Sequence, residues 1–97
     1  MPTQLTECNC SICRRYGPLW AYYPPDEVRI LVGADGEQCY VWGDGELEFV
    51  RCARCGCITH YRVRTGLPEP RIALNFRMAA EGWDRDIPRR YFDGASR

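Results

Sequence analysis

The sequence predicts a small all-β domain, an antiparallel β-sandwich or open barrel stapled by zinc-type knuckles. Three observations carry that expectation. Short alternating or aromatic runs recur at close spacing between turn residues. No stretch keeps a helical period for more than a turn or so. Seven cysteines fall in 97 residues, six of them in the patterns CxCxxC and CxxCxC. A chain of this length makes one domain, 1–97, with a core small enough to gain from metal staples.

Taken in order, "TECNCSICRRYG" (6–17) places Cys8, Cys10 and Cys13 within six residues, with a helical turn near 11–16. "PLWAYYPP" (18–25) is an aromatic run bounded by prolines, and "EVRILVG" (27–33) alternates apolar and polar residues, so both read as short strands. "EQCYVW" and "ELEFVR" flank "GDG" (43–45), whose residues tolerate the positive φ angles of a tight hairpin. "CITHYRVR" (57–64) supplies a further strand, "TGLPEP" (65–70) breaks the pattern, and "RIALNFRM" (71–78) resumes it. A second helical turn is expected near 78–83. The tail "DIPRRYFDGASR" reads as a strand or extended arm that packs Ile87, Tyr91 and Phe92 before fraying.

Composition narrows the chemistry. Thirteen cationic and thirteen acidic side chains cancel, which disfavours nucleic acid and anionic membranes as partners. Every cation is an arginine, so lysine Schiff-base catalysis is excluded. Ser11 and Ser96 are the only serines and His60 the only histidine, which argues against a Ser/His/Asp hydrolase. The start "MPTQLTEC" carries no secretory pattern and no eighteen apolar residues run together, so a cytoplasmic protein is expected. In a reducing compartment, cysteines in such numbers serve as ligands or catalytic thiols rather than as a disulfide framework.

Two cysteines separated by two residues can reach one zinc ion while turn amides donate to their sulfurs. "CARCG" (52–56) has that form, with Gly56 suited to the positive φ that follows a knuckle. Cys10 and Cys13 form a second knuckle, and Cys8 joins them from the strand side. Three protein ligands leave a fourth position open, as in catalytic rather than structural zinc.

"CNCSICRRYG", the aromatic strand after it, "RCARCG" and the closing "NFR…RRYFDGA" together resemble the glutathione-dependent formaldehyde-activating enzyme family, which includes centromere protein V. The resemblance implies a β-sandwich shared with B-type methionine sulfoxide reductases and two zinc sites. Cys8, Cys10 and Cys13 match its catalytic site. Cys52 and Cys55 match its structural site, which in the family is completed by an earlier CxC on an N-terminal strand. No cysteine precedes Cys8 here, and three explanations stand: a late start codon, a deletion, or a rebuilt site completed by Cys57 or His60. A fourth is one closed four-sulfur site made with Cys8 and Cys10.

Cys39 is expected as a core thiol, and His60 as a hydrogen-bonded strand residue. Trp20, Tyr22 and Tyr23 could wall a substrate pocket, but such a run is more often core on one face and surface on the other, which is the expectation here. Arg14 and Arg15 follow the triplet directly, where they could hold a substrate carboxylate or remain solvated. The resulting expectation is a zinc-dependent carbon–sulfur lyase acting on a small aldehyde and a glutathione-like thiol. Its rivals are a non-catalytic zinc-stapled binding module and a thiol or sulfoxide reductase. The sheet edge left without the family's first strand makes a homodimer a further expectation.

Overall fold

The computed structural model describes residues 2–42, 45–64, 71–79 and 86–96. Seven strands and little helix are found among them, which makes the fold all-β. They are β1 (Leu5–Cys8), β2 (Trp20–Tyr23), β3 (Glu37–Trp42), β4 (Leu47–Cys52), β5 (Ile58–Val63), β6 (Ile72–Asn75) and β7 (Arg89–Phe92), with one α-helical turn, α1 (Cys13–Tyr16). The chain forms two compact units, residues 1–21 with 75–97, and residues 22–74. No helix among the described residues is long and apolar enough to cross a membrane.

In the first unit, β1 is paired on both sides. It meets β2 antiparallel, Thr6 opposite Trp20, and β7 parallel, with Leu5 to Cys8 in register with Arg89 to Phe92. That parallel pair departs from the antiparallel expectation. It needs a long return path, and here the two strands come from opposite ends of the sequence. Leu5, Leu19 and Trp20 are almost wholly buried, together with Ile12, Cys10 and Cys13. The helical turn has no side-chain cap at its start, and Gly17 closes it by donating to the Cys13 carbonyl at 2.8 Å.

The second unit is an antiparallel meander, β3 to β6 in order. Its hairpin β3–β4 keeps a continuous register from Glu37 opposite Cys52 to Trp42 opposite Leu47, as the "GDG" turn predicts; Gly43 and Asp44 themselves lie outside the described residues. Phe49, Val50, Ile58, Tyr61, Ile72 and Ala73 form its buried set. Phe49 meets Tyr61 ring to ring at 5.6 Å and lies T-shaped to Trp42 at 6.4 Å, within the range where aromatic pairs stabilise beyond their area. Arg71 stacks over Tyr22 at 4.7 Å and donates from Nε to the Tyr61 hydroxyl at 3.2 Å. Burial then pushes the Tyr61 phenol well above its ordinary range, with the neighbouring Tyr22 adding to the shift.

Several expectations are corrected. Residues 28–33 form no strand; Ile30, Leu31 and Val32 are exposed and instead wall a cavity. Alternation signals a face to cover, but a strand also needs a partner edge, and among the described residues β3 pairs only with β4, so this segment adds no strand beside it. Cys39 is exposed on β3 rather than buried. Tyr91 is 73% exposed, so of the tail residues expected to pack only Ile87 and Phe92 are partly covered. The end of the tail is held by hydrogen bonds described below rather than frayed. The helical turn expected over 78–83 lies mostly outside the described residues; a 3₁₀ turn spans Phe76–Met78. Trp20 is buried, Tyr23 partly so and Tyr22 exposed, a split between core and surface as expected for that run.

Candidate metal centre

The first unit brings its three thiols together. The sulfur atoms of Cys8, Cys10 and Cys13 all lie within 4.8 Å of one another. Among the described residues no other group of three or more candidate ligands converges so closely. Cys8 ends β1, Cys13 opens α1, and Cys10 lies in the turn between, where the Arg14 amide donates to its carbonyl at 3.0 Å. Cys10 and Cys13 are 7% and 5% exposed, so a bound ion would be screened from bulk water on two of its sides.

Hydrogen bonds in the loop fit it to hold sulfur anions. The Cys10 amide points at Cys8 Sγ from 3.5 Å, within reach for sulfur. Burial opposes ionisation of Cys10, yet the amides of Cys13 and Ile12 and the thiols of Cys13 and Cys8 all favour its thiolate, and its pKa falls below the ordinary value. Burial raises the pKa of Cys8, and the amide of Cys10 offsets part of the effect. Burial raises that of Cys13 much further, against the Trp20 indole N–H, which favours the thiolate. The triplet thus carries one readily formed thiolate and two thiols that need a cation beside them to ionise.

That pattern has a measurable consequence. A raised folded-state pKa contributes stability that is fully present below the unfolded pKa and lost as pH climbs toward the folded one. Cys8 and Cys13 act in this sense; the depressed Cys10 acts in the opposite sense and below pH 9, the ordinary thiol value. The metal-free protein should therefore melt at lower temperature above pH 9, and metal-loaded protein, whose thiols are already ionised, should lose less. Melting curves with and without zinc from about pH 8 to about pH 10.5 check this, and parallel curves would count against it.

The clasp on this loop comes from the tail. Asn9 donates from Nδ2 to Asp93 Oδ1 at 3.0 Å, its Oδ1 accepts from the Ala95 amide at 3.0 Å, and the Asn9 amide donates to the Phe92 carbonyl at 3.2 Å. Ser96 donates to the other Asp93 oxygen at 2.6 Å, and with Asn9 it holds that carboxyl below its ordinary pKa. These bonds seat Gly94 directly on the cysteines. A methyl at its Cα would stand 2.7 Å from Cys8 Sγ and 3.0 Å from Cys10 Cβ.

A cavity of about 330 Å³ opens beside the triplet, lined by Cys8, Cys13, Arg14, Arg77, Tyr91 and Asp93 among others. Of the two arginines singled out by position, Arg14 faces this space, whereas Arg15 turns back to the Ser11 carbonyl at 2.5 Å. Arg77 donates from Nε to the Gly17 carbonyl, which anchors it in the wall. Asn9, Arg77 and Gly94 were not readable as site residues from spacing. Only the fold brings residues 77 and 94 to residues 8 and 13.

The second cluster, Cys52, Cys55 and Cys57, sits in the other unit on the turn from β4 to β5. Gly56 takes φ 79°, as a knuckle glycine should, and its amide donates to the Cys52 carbonyl at 2.9 Å. The Cys52 amide closes the turn on the Cys57 carbonyl at 3.0 Å. Cys52 is half-buried while Cys55 and Cys57 are exposed, so these thiols can take an ion from solvent. His60, three residues on, is buried and hydrogen-bonded to Thr59, as expected for a strand histidine.

No protein-family model matches the chain. Among solved structures the chain is similar to a Rhodobacter sphaeroides protein determined in a structural genomics programme. The TM-score is 0.71 and the identity 28%, covering 89% of this chain and 80% of that one.

Proposed function

We propose that this protein is a zinc-dependent carbon–sulfur lyase, similar to the glutathione-dependent formaldehyde-activating enzymes, which adds or removes a thiol at a small aldehyde. The observation that carries this reading is the convergence of three cysteine sulfurs beside a cavity large enough for a small substrate. Three thiolates suit zinc better than hard cations such as magnesium or calcium, and three ligands leave room for one more. When bound there, zinc would supply Lewis acidity to a thiol sulfur or a carbonyl oxygen.

The chain's own residues do the rest. Arg14 and Arg77 line the cavity and carry the positive charge suited to the carboxylates of a glutathione-like thiol. Asp93 is committed to Asn9 and Ser96, and so fixes the wall rather than meeting substrate. In the forward direction the thiol sulfur bonds to the aldehyde carbon, the carbonyl π pair moves to oxygen, and that oxygen takes the proton the thiol gives up. The reverse is the lyase step.

Magnetisation exchange between formaldehyde and its glutathione adduct provides the test. Zinc-loaded protein should raise the exchange rate well above buffer with an equal amount of free zinc. Protein that holds zinc yet leaves the rate unchanged is a stapled binding module instead. Thiol addition to formaldehyde is already fast without a catalyst, so longer aldehydes should be run beside it.

A further inference from the structure

The unit of residues 22–74 contains a second cavity, of about 340 Å³, whose wall includes Cys52 of the second cysteine cluster but neither Cys55 nor Cys57. Its wall includes the exposed segment Arg29 to Gly33, Leu74 of β6, and Arg51, Thr59 and His60 of β4 and β5. His60 is 2% exposed, and its Nε2 is enclosed without a hydrogen-bond partner among the described residues. An unmet buried polar atom is costly, so such atoms mark places where a partner belongs.

The neighbouring bonds identify which partner. Assigning the Thr59 hydroxyl proton to the Val50 carbonyl, 3.3 Å away, leaves its oxygen to accept from His60 Nδ1 at 2.8 Å. Nδ1 therefore carries the ring proton and Nε2 a lone pair. Burial, with the charge of Arg62, lowers the imidazole pKa and so favours the neutral ring, against the opposing charges of Glu37 and Glu48. What Nε2 lacks is a donor.

Charge on the wall supplies the second requirement. Arg51 uses one of its donors on Gln38 at 2.9 Å and keeps others, and no ion pair engages Arg29 among the described residues. Glu37, the one acidic residue in the wall among the described residues, is neutralised by Arg62 at 2.6 Å. Ile30, Leu31, Val32 and Leu74 give the space an apolar lining, and its volume suits a small molecule.

We propose that this cavity binds a small organic anion bearing a hydroxyl or amine donor, which meets His60 Nε2 while Arg29 and Arg51 hold the anionic group. The site lies in a different unit from the cysteine triplet, and it stands or falls independently of the lyase reading.

The single histidine makes the test direct, because the ring ¹⁵N resonances need no assignment. The wild-type chain is titrated with 4-hydroxybenzoate, with benzoate, which lacks the donor, and with phenol, which lacks the anion. 4-Hydroxybenzoate should shift the Nε2 resonance saturably and bind at least about tenfold more tightly than either analogue, since each omits one matched group. The surface substitution Arg29→Gln should weaken 4-hydroxybenzoate and leave phenol unchanged. The proposal is overturned by an Nε2 resonance that moves with none of the three, as a permanently bound water would give. Equal affinity for benzoate and 4-hydroxybenzoate, or Arg29→Gln binding 4-hydroxybenzoate as wild type does, overturns it as well.

Discussion

Cys10→Ser is expected to abolish the acceleration of thiol–aldehyde exchange and to lower zinc affinity by about a hundredfold or more. The figure comes from sharing the roughly 10–16 kcal/mol of a four-ligand zinc site among its ligands, which assigns about 3 kcal/mol to each. Cys10 is the ligand most prepared for the role. Burial works against its charge, but two backbone amides and both partner thiols favour the thiolate, and it alone of the triplet has a depressed pKa. A serine hydroxyl in that place meets the same amides without ionising near neutral pH. Two thiols with raised pKa values would then remain to hold the ion. Zinc content after dialysis and exchange rate are measured together, with Cys55→Ser, on the exposed turn of the other unit, as the control. A Cys10→Ser protein as active as wild type sinks the catalytic assignment. A Cys55→Ser protein as inactive as Cys10→Ser would move the chemistry to the second cluster.

Much of this site was legible in the sequence because its ligands are local. Cys8, Cys10 and Cys13 lie in one turn, and the CxCxxC spacing alone brings their sulfurs within reach of one ion. The hairpin over 37–52 was equally readable, since its turn residues and both alternating runs are contiguous. What stayed hidden depends on pairing between distant segments. The parallel match of β7 to β1 leaves no trace in either segment, yet it delivers Asp93, Gly94 and Ala95 to the cysteine loop. For the same reason the alternating segment 27–33 misled: its apolar residues line the His60 cavity instead of pairing in a sheet. Cys39 shows the limit of residue preference, because cysteine is usually buried but an edge-strand position exposes it.

Gly94→Ala turns that hidden pairing into a measurement. The added methyl would stand 2.7 Å from Cys8 Sγ, closer than carbon and sulfur can approach, and 3.0 Å from Cys10 Cβ. Gly94 cannot easily retreat, because Asn9 binds both Asp93 before it and Ala95 after it. Without metal, rotation of Cys8 about its Cα–Cβ bond carries the sulfur clear and leaves only the tight 3.0 Å contact with Cys10 Cβ for a small backbone shift to absorb, so the apo fold should lose less than the metal site does. With metal, the same rotation breaks a ligand bond, so the clash must be absorbed in the coordination geometry. The expected result is a zinc affinity lower by about 10- to 100-fold, the range for residues that orient metal ligands, with only a small fall in the apo melting temperature. Exchange activity at saturating zinc should fall with it. If affinity stays at the wild-type value, the tail does not hold the Cys8 sulfur in place. If the apo protein fails to fold, Gly94 serves the fold and not the metal loop. The split between affinity and apo stability thus separates a positioning role for the tail from a packing role, which a cysteine substitution cannot do.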